Sequence, residues 1–83
     1  MAKRVVWTDR ARADLRAIEQ PVAMRILRTL ARYAYTGEGD TKQLREIEPP
    51  LIRLRAQDDR VFFRDRGECL EISRVLHRRE AYR

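Results

Sequence analysis

Apolar residues along this chain are spaced first as in a strand, then as in helices, then as in strands again. "RVVW", residues 4–7, is short, β-branched and aromatic, which predicts a strand. Thr8 follows as a good N-cap and Asp9 suits a first helical turn. Ala11, Leu15 and Ile18 then recur at helical spacing, while Arg10, Arg12, Asp14 and Arg16 fall elsewhere, the pattern of a short amphipathic helix. "EQP" interrupts it, and Pro21 fits the first turn of a second helix. That helix carries an apolar stripe of Val22, Ile26, Leu27, Leu30 and Ala34, with Arg25, Arg28 and Arg32 on another face. "YTGEGD" ends it, with Gly37 and Gly39 as punctuation.

The second half alternates. "TKQLREI" fits a strand or a loop, and "EPP" forces extended backbone before the next element. In "LIRLRA" Ile52 and Leu54 face one way, Arg53 and Arg55 the other. "QDD" turns the chain, and "RVFFR" alternates again, with Val61 and Phe63 opposite Arg60 and Phe62. "DRG" is a second turn, and "ECLEISRVL" is a further strand. The order is strand, helix, helix, then three or four strands joined by short connections. It predicts an α+β domain spanning residues 1–83, with an N-terminal strand and an α-helical hairpin packed on one face of an antiparallel β-sheet. Strict alternation would carry Leu70, Ile72 and then Arg74 into the core. A bulge near Ser73, or an early end to the strand, would re-aim Arg74.

The other face of the sheet stays open, and charge decides what it is good for. The 83 residues hold 19 Lys and Arg against 13 Asp and Glu, a net charge of +6, and Lys3 and Lys42 are the only lysines. Guanidinium groups grip phosphates through a planar fork, so a polyanion is the favoured partner. If Ile52, Leu54, Val61 and Phe63 pack on the helices, Arg53, Arg55 and Arg60 point to solvent together, with Phe62 beside them to stack on a base. Asp59, Glu68 and Glu71 are the carboxylates available to pair with them. The last ten residues, "RVLHRREAYR", add four arginines, the only histidine and a tyrosine.

Other chemistries find little footing. Cys69 is single, so no internal disulfide forms, and no cysteine or histidine spacing fits a metal site, so neither metal nor cofactor is expected. "MAKRVVW" holds no apolar run long enough for a signal peptide or a membrane span, so a cytoplasmic location with no membrane partner is expected. A chain of this size buries only about 60% of its unfolded surface and has little room for a deep pocket.

"VVWTDRARADL", "LIRLRAQDDRVFFR" and "ISRVLHRREAYR", in that order, resemble the RelE/ParE toxin superfamily over essentially the whole chain. The resemblance implies the toxin of a type II toxin–antitoxin pair, with a RelE-like fold and a cognate antitoxin as partner. It implies one of two targets. RelE-like members are mRNA endoribonucleases that usually cut on the ribosome and halt translation; ParE-like members inhibit DNA gyrase. A degenerate toxin that only binds its antitoxin or nucleic acid is a third possibility. The RelE-like pattern matches Arg53, Arg55, Arg60, Arg78 and Tyr82. It departs at Arg53, where lysine is common, at Phe63, where tyrosine is frequent, at Glu46, where glycine is usual, and in the short spacing from Arg78 to Tyr82. "RVLH" is equally at home in ParE-like toxins, and the tyrosine ending leans towards RelE.

The residues themselves suit metal-free RNA cleavage. That reaction uses the 2′-OH as nucleophile and needs one group to accept its proton, one to protonate the leaving 5′ oxygen, and cations around the phosphorane. Arginine serves only the last purpose. Tyr82 and His77 are the nearby groups able to carry protons, and Arg78, Arg79 and Arg83 are placed to lower a tyrosine's pKa. The expected site is thus catalytic at Arg60, Arg78, Tyr82 and His77 and RNA-binding at Arg53, Arg55, Phe62, Arg79 and Arg83.

Overall fold

The computed structural model describes residues 2–45 and 49–77. Its elements are β1 (Arg4–Trp7), α1 (Asp9–Arg16), α2 (Gln20–Thr36), β2 (Asp40–Arg45), β3 (Leu51–Ala56), β4 (Asp59–Asp65) and β5 (Cys69–His77). The local signals act where the sequence places them. Thr8 caps α1 by accepting from the Ala11 amide, and Pro21 sits in the first turn of α2. Gly37 ends α2 at φ 79°, a left-handed conformation that costs glycine nothing. Gly39 gives room of a different kind: a Cβ there would stand 2.8 Å from Leu54 Cδ1, and that side chain would have to shift. Residues 40–45, ambiguous by pattern, form a strand paired with β3.

The five strands run in the order β1-β5-β4-β3-β2. β2 to β5 form the expected antiparallel meander. β1 joins it at the far edge, parallel to β5, with Arg4 opposite Cys69 and Trp7 opposite Ile72. Nothing local in "RVVW" specifies that placement, because the partner lies at the other end of the chain. Both helices lie on one sheet face. Ala11, Ile26, Leu30 and Ala34 pack there with Leu54, Val61, Phe63, Leu70, Ile72 and Val75. Phe63 is fully buried, with the Tyr33 ring 5.4 Å away and tilted by 51°. Truncating such a ring to alanine costs about 3–5 kcal/mol.

A bulge in β5 sets which side chains reach which face. Phe63 pairs with Ile72 and Phe62 with Arg74, so Ser73 is the extra residue. Without it Arg74 would enter the core. With it Val75 does, and is 1% exposed. The bulge falls where β1 ends and β5 loses its parallel neighbour, and two side chains take over. The Thr8 amide and hydroxyl both donate to the Ile72 carbonyl, at 3.2 and 2.7 Å. Asp14, one turn into α1, accepts from the Val75 amide at 3.0 Å and from Arg74 Nε at 2.8 Å. Backbone groups that would otherwise be orphaned at a strand edge are thereby satisfied.

Asp14 feels opposing influences. Burial pushes its pKa up, but the Arg74 hydrogen bond, the Val75 amide and the charges of Arg74 and Arg10 outweigh it and hold the carboxyl below its ordinary value of 3.8. Asp65 is lowered in the same way: burial raises it, while Lys3 Nζ, at 3.0 and 2.9 Å, and the Gly67 amide win. A carboxyl whose folded pKa is depressed stabilises the fold above its unfolded value and loses that contribution as pH falls through the folded one. Asp14→Asn is therefore expected to lower stability at pH 7 by about 1–3 kcal/mol. The gap from wild type should shrink at pH values well below 4, and Asp65 should keep some acid sensitivity in the variant. Urea denaturation of both proteins at neutral and acid pH measures this, and an equal loss at both would remove the ion pair from the account.

Candidate nucleic-acid interface

Alternation along β3 and β4 puts the expected residues on the face away from the helices, and cross-strand register sorts them into rows. Lys42, Arg53, Phe62 and Arg74 stand opposite one another across β2, β3, β4 and β5. Asp40, Arg55, Arg60 and Leu76 form the next row on one side. Leu51, Arg64 and Glu71 form the row on the other, ending at Val6. At about 4.8 Å per strand, Lys42 and Arg74 are about 14 Å apart.

The rows differ in what their cations are already doing. Arg60 is not at the surface as alternation predicts. It is 3% exposed, and its Nη1 donates to the carbonyls of Gln57 and Asp59 at 3.2 and 3.3 Å. Arg55 is exposed, and its Nε donates to the same Gln57 carbonyl at 3.1 Å. Gln57 needs the support, since its φ of 57° is left-handed without being glycine, a conformation costing about 1–2 kcal/mol. Arg60 thus ties down the β3–β4 turn. Arg64 Nη1 donates to the Pro49 carbonyl, and Arg74 is held by Asp14. Lys42 and Arg53 make no hydrogen bond or ion pair among the described residues, and the buried Nε of Arg53 is an orphan donor. Phe62 is half-buried between Arg53 and Arg74.

The carboxylates considered for neutralising this face are largely committed elsewhere. Asp59 is on the helix side, 1% exposed, and pairs with Arg25 of α2 at 3.4 Å. Arg25, on a face of α2 apart from its apolar stripe, thus reaches a buried carboxylate of β4. Glu71 pairs with Arg66 at 3.2 Å.

His77 is separated from the sheet arginines. It stands opposite Asp59 in register, on the helix side, because the bulge at Ser73 has shifted the alternation. There it lines a cavity of about 340 Å³ with Asp14, Ile18, Glu19, Val22 and Val75. Arg78, Arg79, Tyr82 and Arg83 lie outside the described residues. Sequence reasoning missed Lys42, since "TKQLREI" was open between strand and loop; alternation from a strand start at Asp40 would have found it.

A mixed sheet with a helical hairpin on one face recurs in solved structures of toxins from type II toxin–antitoxin pairs. Solved structures of that class superpose closely. A RelBE2 toxin–antitoxin complex from Mycobacterium tuberculosis matches with a TM-score of 0.77 at 23% identity, over 94% of this chain and 100% of that one. An archaeal RelE–RelB complex from Pyrococcus horikoshii gives 0.76 at 20% identity, over 94% and 97%. A RelE variant from E. coli in the free state gives 0.71 at 20% identity, over 98% and 87%. No curated protein matches the sequence. The family model described as ParE toxin of type II toxin–antitoxin system, parDE, matches residues 5–82. The chain belongs to that family, within the RelE/ParE toxin superfamily, and its fold is RelE-like.

The altered place of Arg60 changes what its removal should do. Arg60→Ala strips the buried guanidinium's bonds to the Gln57 and Asp59 carbonyls and is expected to cost about 1–3 kcal/mol. Arg55→Ala, at an exposed position, should stay within about 0.5 kcal/mol. Urea unfolding midpoints of the two variants give the comparison. Equal, small losses would return Arg60 to the surface.

Proposed function

We propose that this toxin is a metal-independent mRNA endoribonuclease, acting on or off the ribosome, that halts translation and is restrained by a cognate antitoxin. The observation that carries the reading is the row of Lys42, Arg53, Phe62 and Arg74 across four strands, with two cations unengaged among the described residues and an aromatic ring among them. Such a surface suits a phosphodiester chain better than a protein partner, because clustered cations call for repeated anions. Arg53 and Arg55 hold phosphates, with Lys42 added to them. Arg60 contributes by fixing the turn between β3 and β4 rather than by touching substrate.

The reaction is in-line attack of the 2′-OH on its own phosphorus. The bond to the 5′ oxygen breaks, and a cyclic phosphate and a free 5′-OH result. Arg78 stabilises the charge on the phosphorane, with Arg79 and Arg83 as further phosphate contacts, and Tyr82 takes the proton from the 2′-OH while water protonates the leaving 5′ oxygen. All four follow β5 within six residues of His77. His77 lies on the helix side, away from the arginines of β3, which favours Tyr82 as the proton carrier. The antitoxin partner is supported by similar chains from P. horikoshii and M. tuberculosis, whose structures are toxin–antitoxin complexes. The cytoplasm, where mRNA is, is the proposed location. No helix among the described residues is long and apolar enough to cross a membrane.

A second reading has one specific support: the matching family model describes parDE toxins, and inhibition of DNA gyrase is the ParE-like activity. One experiment separates the two. Induced without an antitoxin, the chain should leave cleaved messages and arrested translation while plasmid supercoiling persists. Intact messages with lost supercoiling would hand the function to the gyrase reading. In the same assay reconstituted with saturating RNA, Tyr82→Phe should slow single-turnover cleavage by about 10²–10⁴-fold, with little change in RNA affinity. A wild-type rate in that variant would exclude tyrosine as the proton carrier.

A further inference from the structure

The row containing Arg53 is unlike its neighbours. Arg55 and Arg60 in the adjacent row turn to the Gln57 carbonyl, and Arg64 on the other side is bonded to the Pro49 carbonyl. Arg53 instead keeps a buried Nε with no acceptor. A shielded N–H on a charged guanidinium is among the costlier arrangements a fold retains, and the rest of the Arg53 guanidinium has no acceptor among the described residues. Lys42 stands next to it in register, without a partner among the described residues. On the other side is Phe62, a half-buried ring flanked by Arg53 and Arg74. Phenylalanine has no polar atom to satisfy, so its ring face takes a flat, apolar partner. An oxygen-seeking donor, a free ammonium and a flat ring at successive strand spacings describe one nucleotide unit: a phosphate with its base alongside.

We infer that Phe62 is a base-stacking platform and that Arg53 and Lys42 hold the adjoining phosphate, so that this face takes single-stranded nucleic acid in preference to duplex. In a duplex both faces of a base are covered by its neighbours, whereas an unpaired base can be splayed onto an aromatic side chain. The inference deepens the RNA reading above and rests on it for the identity of the polymer.

The test uses the full chain and a short RNA blocked from cleavage by 2′-O-methyl groups, carrying 2-aminopurine at one position, either alone or annealed to its complement. Wild type should bind the single strand about ten-fold or more tightly than the duplex, and binding should quench the 2-aminopurine emission. Phe62→Leu should lose about ten-fold in single-strand affinity together with the quench, and leave duplex affinity unchanged. Phe62→Tyr should retain both. Arg53→Ala with Lys42→Ala should flatten the salt dependence of binding. Salt-dependent wild-type binding with no quench and equal affinity for the two forms overturns the stacking site and leaves the RNA reading standing. No salt-dependent RNA binding by wild type overturns both. If the leucine variant does not fold, the wild-type quench and the tyrosine variant decide the matter.

Discussion

The rest of this molecule depends on how β5 is held past Ile72. There the strand loses its parallel partner, yet it must still deliver alternate side chains to two different faces. Thr8, the cap of α1, and Asp14, within that helix, grip the Ile72 carbonyl and the Val75 amide through hydrogen bonds of 2.7 to 3.2 Å. In doing so they fix a one-residue bulge at Ser73. Because strand side chains alternate with period two, a single extra residue reverses the assignment of everything beyond it. Val75 reaches the core, Arg74 is withdrawn to Asp14, and His77 faces the helices. The corner after β1 thus sets the chemistry of both faces at the far end of the chain.

The net charge of +6 gives a poor picture of how the cations are used. Several arginines are structural. Arg60 and Arg64 hold backbone carbonyls around β3 and β4, Arg25 reaches a buried carboxylate under the sheet, and Arg74 closes the β5 edge. Among the described residues, what remains for an outside anion on the open face is narrower than composition implies and centres on Lys42, Arg53 and the exposed part of Arg55. Guanidinium serves both purposes because its fork of donors matches a pair of carbonyls as well as a phosphate.

Much of the fold was legible in the sequence because its signals are local. The Thr8 cap, Pro21, Gly37 and the alternation of residues 51–56 and 60–64 each act over a few residues, and each element stands where they place it. The face of Arg53, Arg55 and Phe62 followed from period two alone. Depth did not. Whether Arg60 lies in water or against the Gln57 carbonyl depends on how a turn closes, and alternation carries no such information. The side occupied by His77 depended on the bulge, which the pattern signalled only as a conflict at Arg74. The parallel pairing of β1 with β5 was not legible at all, since it joins residues from opposite ends of the chain.

That pairing has a consequence for how the protein comes into being. Arg4 meets Cys69, a separation of 69 − 4 = 65 positions, so the first strand synthesised has no sheet partner until the last strand has been made. At roughly 5–20 residues per second, β1 waits roughly 3–13 s on a ribosome. α1 waits with it, because Thr8 and Asp14 find their acceptors and donor only on β5. Local helices form far faster than such long-range closures. The nascent chain therefore carries the apolar face of α2 and an incomplete sheet until β5 has been made. Its cation row is assembled at the same late moment, since Arg74 is part of it. A chain of this fold is born without its finished cation row and acquires it only once β5 has been made.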